Sequence, residues 1–299
     1  MIVYIDRDFA VEFEKEMLKM NPFEKPIENN AGNRLFELFR NYPELEVYSD
    51  ASQEDKQGIR LFQYILNLNA VIRTVDQFLF ELGKPNVQKQ LLAFTSERHD
   101  WSDRFERLGG LYFTTSDYLS KLSEILTYEQ SIRFSELKRQ FSWNDISYIS
   151  KLPANRAFLT DNYLISSKEK RESNLKPLLR IVSRVSASNF VFELFVNEYL
   201  LNWNKSDWEN FDNEIEEFLI KEDLDIEVVI TKYSSKNRRS RFNFHDRKLF
   251  LKYIKVDVGK GFDLLPYDQT TINDKKVVVS TIFNKDTYDD FRSYYLQSI

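Results

Sequence analysis

The sequence predicts an α/β protein of two domains, and three observations lead there. Its length, 299 residues, exceeds the roughly 100 to 200 residues of an ordinary domain. Hydrophobic residues make up 42% of the chain, with 25 Phe and 16 Tyr, which supplies apolar surface for real cores. Short apolar runs alternate with stretches of helical periodicity from one end to the other, the pattern of strands and helices stacked in layers.

Taken in order, MIVYID is a short apolar run ending in acid and reads as a strand, leading into a helix-prone stretch from Ala10 to Met20. Leu45 to Asp50 (LEVYSD) alternates as a strand should. Gly58 to Gly83 carries Ile59, Phe62, Ile65, Leu66, Leu68, Val71, Ile72, Val75, Phe78, Leu79 and Leu82 at helical spacing, which predicts one long buried helix. LLAFT (Leu91 to Thr95) and LYFTT (Leu111 to Thr115) read as two further strands, and Asp117 to Phe141 as helical. A boundary near Ser150 to Ala154 closes this half, giving an N-terminal α/β domain over 1–150.

The second domain, 151–299, is expected to hold a mixed sheet flanked by helices. Asn155 to Ser166 reads as a strand, and Ser167 to Lys176 as a charged loop leading into a helix. FVFELFV (Phe190 to Val196) has the apolar density of a buried strand. Trp208 to Glu222 is an amphipathic helix with Phe211, Ile215, Phe218 and Leu219 on one face, and Ile226 to Tyr233 is a central strand. Arg241 to Leu265 reads as a hairpin ending at Gly259 and Gly261, Lys275 to Phe283 as the last strand, and Asp286 to Gln297 as the last helix.

Composition closes off several chemistries. The chain has no Cys and two His, which excludes disulfides, thiolate catalysis and Cys-ligated zinc. No run of 18 apolar residues occurs and the N-terminus meets charge at Asp6, so neither a membrane span nor a signal peptide is expected, and a cytoplasmic protein is. Residues 1–150 hold 18 Lys/Arg against 24 Asp/Glu, net -6, and 151–299 hold 24 against 23, net +1. Any nucleic-acid binding must therefore rest on a local patch. No cofactor is expected.

The patch lies in the second half. FHDRKLFL places His245, Asp246 and Arg247 at the head of an apolar strand, and VDVGKGFD follows with Gly259, Lys260, Gly261 and Asp263. These words, with the strands before them, resemble the phospholipase D superfamily, in particular a one-motif branch that includes the C-terminal domain of MIT-domain proteins and many bacterial proteins with a similar His-Asp-Arg strand. The resemblance covers about 145 residues. In catalytic members two histidines meet over one phosphodiester, one attacking phosphorus and the other protonating the leaving oxygen. Carried across, the resemblance makes His245 the nucleophile, Arg247 the phosphate-binding cation, and Gly259, Lys260 and Gly261 the turn that holds developing charge. This sequence departs from the pattern. Lys252 stands five residues beyond Arg247 where the family has Asp, no second His-x-Lys/Arg word exists, and His99 sits in ERHDWSDR with Trp101 in the place of a cation.

Upstream, Lys232, Lys236, Arg238, Arg239 and Arg241 precede Arg247, Lys248 and Lys252, with Tyr233, Phe242 and Phe244 interleaved. Such a run grips phosphates of nucleic acid or of an anionic lipid, or is simply a solvated loop. In the first half, Asp6, Asp8, Asp50 and Asp117 fall at or beyond strand ends, where carboxylates either hold Mg2+ as in PIN-like nucleases or cap the following helices. The expected function is a phosphate-ligand, nucleic-acid-binding subunit with an incomplete phospholipase-D-like site. The resemblance implies a place in a bacterial antiviral defence or nucleic-acid-processing assembly, with protein subunits as partners and a homo-oligomer in view. Two alternatives stay open: a dimeric, metal-independent phosphodiesterase or nuclease using His245, and a protein-interaction subunit.

Overall fold

Two sheets organise the computed structural model, which describes residues 1–19, 31–42, 44–68, 71–84, 89–133, 142–161, 163–185, 189–233, 247–258 and 276–297. The protein is mixed α/β, with one parallel and one mixed sheet flanked by helices. It divides into two compact units, Met1–Glu129 with Thr281–Ile299, and Gln130–Ser280.

The first unit is built on strands β1 (Ile2–Ile5), β2 (Glu46–Tyr48), β3 (Ile72–Arg73), β4 (Leu91–Thr95) and β5 (Leu111–Thr114). They lie in the order β3-β2-β1-β4-β5, and all four neighbouring pairs are parallel. Every residue of β1, β4 and β5 is buried, as expected where helices cover both faces of a parallel sheet. Ile2, Tyr4, Tyr48, Leu91, Ala93 and Tyr112 pack on one face with Phe78 and Phe105. On the other, Phe94 stacks against Phe9 of helix α1 (Arg7–Lys19) and Phe39 of α2 (Ala31–Asn41), ring centroids 5.3 Å apart in both pairs.

The stretch from Gly58 to Gly83 corrects the expectation of one long helix. It follows α3 (Gln53–Gly58) and holds α4 (Arg60–Asn67), β3 and α5 (Val75–Leu82). Ile59 is extended, at φ -86° and ψ 124°, which breaks the first join. Thr74 and Gln77 form a reciprocal capping box that starts α5 afresh. Apolar spacing persists across both breaks, so periodicity alone does not reveal them. After α6 (Ser102–Arg107), α7 (Tyr118–Leu126) is likewise shorter than expected, because Gln130–Arg133 forms strand β6.

The second unit carries β6, β7 (Arg156–Thr160), β8 (Phe190–Asn197), β9 (Ile226–Tyr233), β10 (Lys248–Leu251), β11 (Ile254–Val258) and most of β12 (Lys276–Thr281). Their order is β6-β12-β11-β10-β7-β8-β9. β7, β8 and β9 run parallel; β10 runs antiparallel to both β7 and β11. Of the strands expected over 155–166, 226–233 and 241–265, the described residues give β7, β9, β10 and β11 in one sheet, the first of them ending at Thr160 and not at Ser166. β7 stops at Thr160 because the Asp161 carboxylate accepts a 2.8 Å bond from the Tyr163 amide and turns the chain. Ser167 then caps an unbroken helical run, α8 (Lys168–Lys170), a π segment (Arg171–Leu175) and α9 (Lys176–Val182). Helix α10 (Glu198–Leu201) follows β8, and α11 (Lys205–Glu222) lies over β9, with Ile215 and Leu219 facing Ile226, Val228 and Ile230 across a shallow groove. Buried charge ties the three parallel strands: Glu193 of β8 binds the Arg156 guanidinium of β7 and accepts from Thr231 Oγ1 of β9 at 3.0 Å.

The units divide at 129/130 and 280/281, not near 150. β6 belongs to the second unit because it pairs with β12, Arg133 opposite Lys276. The last helix, α12 (Tyr288–Gln297), returns to the first, where Tyr288 meets Tyr42 at 5.3 Å. Among the described residues no helix is long and apolar enough to cross a membrane.

Lys252 is 1% exposed in the turn between β10 and β11. Its Nζ donates to Asn155 Oδ1 at 3.1 Å, and burial pulls its pKa from 10.5 down to about 7. A lysine with a depressed folded pKa costs stability most below that pKa, and the cost fades as pH climbs towards the unfolded value. Stability is therefore expected to rise between about pH 7 and about pH 10.5. Lys252→Met should stabilise the unit at neutral pH by on the order of 3 kcal/mol and flatten this rise. Urea titrations across the window check it; a destabilised variant with the original slope contradicts it.

Candidate functional site

The antiparallel entry of β10 against β7 places the head of β10 beside the tail of β7. The Lys248 amide donates to Thr160 Oγ1 at 3.3 Å, so Arg247 emerges at the carboxyl edge of the parallel strands. There its guanidinium lies 4.6 Å from the centroid of the Tyr163 ring. Lys170 Nζ approaches the same ring at 5.5 Å. Tyr163 is 46% exposed, yet its backbone is pinned on both sides: its amide binds Asp161, and its carbonyl accepts from the Ser166 amide at 3.2 Å and the Ser166 hydroxyl at 2.8 Å. Arg247 itself has no carboxylate partner among the described residues.

The same edge continues over β8 and β9. Arg171 donates to the Ile165 carbonyl at 3.0 Å and to Glu214 at 2.9 Å, and lies 6.0 Å from the Trp203 ring. Trp203 meets Trp208 edge to face at 4.7 Å. Lys232, at the end of β9, sits 3.9 Å over Trp208, and like Arg247 it has no carboxylate partner among the described residues. Cations and rings thus alternate along one sheet edge.

Of the residues the sequence singled out, Arg247 and Lys232 fall in this arrangement. Lys252 does not; it is sealed in the opposite turn. His245, Asp246, Gly259, Lys260, Gly261, Asp263, Lys236, Arg238, Arg239 and Arg241 lie outside the described residues, so the expected face shared by His245 and Arg247 does too. Sequence reasoning missed Tyr163, Lys170, Arg171 and Trp203. The signal available for Lys170 and Arg171 was position, in the charged loop expected after a strand, where open sheets expose functional side chains; Tyr163 fell inside the stretch expected to be that strand.

The acids of the first unit resolve into caps and pairs. Asp6, 3% exposed at the end of β1, accepts from the Phe9 amide at 2.6 Å, the Ser96 amide at 2.6 Å and the Ser96 hydroxyl at 2.9 Å. Burial outweighs these bonds and raises its pKa. Asp50 accepts from the Arg7 amide at 2.9 Å, and Asp8 pairs with the Arg7 side chain at 2.8 Å. Asp117 binds the Thr114 amide and Lys121, which hold its pKa down against burial. His99 stacks on Trp101 at 5.1 Å, with Nε2 3.8 Å from Asp6 Oδ2. Among the described residues no group of three or more His, Asp or Glu is placed to hold a metal ion.

No protein-family model matches the chain, and a search of curated proteins returns no match.

Asp6→Ala strands the buried Phe9 amide, costing about 1–3 kcal/mol, and the part-buried Ser96 amide, whereas Asp8→Ala removes an exposed contact worth at most about 0.5 kcal/mol. Denaturant midpoints should separate the two variants clearly. Equal midpoints would return Asp6 to the candidates for ligand contact.

Proposed function

We propose that the chain binds a phosphate-bearing ligand, nucleic acid foremost, at the carboxyl edge of β7, β8 and β9, with Arg247 as the central anion contact. The observation that carries this is Arg247 itself, a half-buried guanidinium held against the Tyr163 ring and without a carboxylate partner among the described residues. A guanidinium so placed keeps its planar donor fork available for bidentate binding of a phosphate. Location supports the same reading, since open α/β sheets take ligands in the crevice outside the carboxyl ends of their strands.

In this proposal the domain is phospholipase-D-like and lacks a complete catalytic site, with Lys252 in place of the family's acid and no second His-x-Lys/Arg word. Lys232, at the same edge, supplies a further phosphate contact, and the basic run of Lys236, Arg238, Arg239 and Arg241, with Lys260, is proposed from the sequence to add others. The protein serves as the nucleic-acid-binding subunit of a larger assembly.

Fluorescence anisotropy with a labelled oligonucleotide tests it. Arg247→Gln should weaken binding about tenfold at low salt and lower the slope of log K against log salt by about one. Arg98→Gln, at a guanidinium already bound to Asp103 and Glu106 in the other unit, should change neither. Absence of affinity at any salt, or an Arg247→Gln protein identical to the parent, overturns the proposal. Metal-independent cleavage that His245→Asn abolishes replaces it with the phosphodiesterase reading.

A further inference from the structure

Resting on the binding reading above, we infer that the ligand is single-stranded, and that Tyr163 and Trp203 are stacking platforms for unpaired bases. From β10 to β9 the edge runs Arg247, Tyr163, Lys170, Arg171, Trp203, Trp208, Lys232, each ring in contact with a cation. A patch that reads only a duplex backbone needs cations; it has no use for rings presented between them, because duplex bases are stacked on one another. A strand with unpaired bases uses both, phosphates on the cations and bases on the rings.

Tyr163 is suited to this. It is 46% exposed, while hydrogen bonds to Asp161 and from Ser166 fix its backbone on either side, so little order is lost when a base lands on it. Arg247 and Lys170 already lie against the ring, but an exposed cation–ring contact is weaker than base stacking. A base displaces the cation from the ring and leaves it next to the incoming phosphate. Trp203 is half-buried and braced by Trp208 and Arg171. The edge spans four neighbouring strands, three spacings of about 4.8 Å or roughly 14 Å in all. At about 3.4 Å per stacked nucleotide, that accommodates about four of them.

The test compares a fluorescein-labelled oligothymidine of about a dozen nucleotides with the blunt duplex of the same length, on the full chain. The single strand should bind at least about tenfold tighter, and Tyr163→Ala should cost about tenfold on the single strand alone. The salt slope should stay unchanged, since no charge is removed, and Tyr163→Phe should restore affinity. Trp203→Ala probes the second platform, with a melting curve to confirm that the protein is folded. If neither probe binds, the underlying binding reading fails. If single strand and duplex bind equally and Tyr163→Ala matches the parent, the binding reading stands and the inference is overturned.

Discussion

The register between β10 and β7 is the constraint on which the second unit depends. Leu249 faces Leu159, Phe250 faces Phe158 and Leu251 faces Ala157, a run in which a one-residue slip would turn every side chain to the wrong face. Because this pairing is antiparallel while β7, β8 and β9 are parallel, the start of one strand is brought to the ends of three others. A cation next to β10 in sequence thereby joins loops from far upstream. The Arg156, Glu193 and Thr231 network fixes the three parallel strands in turn. Removing one member would leave a buried charge uncompensated, which costs far more than an intact buried pair contributes.

The two units treat their carboxyl edges in opposite ways. In the first, the carboxylates beyond β1 and β2 accept from backbone amides of α1, which satisfies donors that a helix start leaves open. In the second, Arg171 is tied to Glu214, but Arg247 and Lys232 meet rings instead of carboxylates. The net charges of -6 and +1 for the two sequence halves are the coarse shadow of this difference. Geometry sharpens it, because a few cations at one edge create a local potential that the whole-chain total conceals.

Much of the architecture was legible in the sequence. Strands whose apolar runs are bounded by polar turns, as in FVFELFV and IEVVITKY, appear where that pattern places them. Failures came where two structures share one periodicity. Ile72 and Val75 continue the helical spacing of Phe62 and Ile65, yet the chain restarts at Thr74, whose amide donates to the Gln77 side chain, a polar effect that hydrophobic spacing cannot register. β6 was hidden for another reason: Gln130–Arg133 carries little apolar character and is a strand only because β12 pairs with it. In the candidate site, Arg247 was legible from its motif. Tyr163 was not, since an exposed tyrosine after a strand has no sequence signature until the β10 pairing brings a guanidinium to it.

The central claim, that nucleic acid lies along the carboxyl edge of β7, β8 and β9, is tested most directly by ultraviolet cross-linking of a bound single strand followed by peptide mapping. The account predicts adducts on the peptides containing Tyr163 and Trp203, which present the rings closest to the proposed path. Adducts confined to residues 1–129, with none on these peptides, would contradict it.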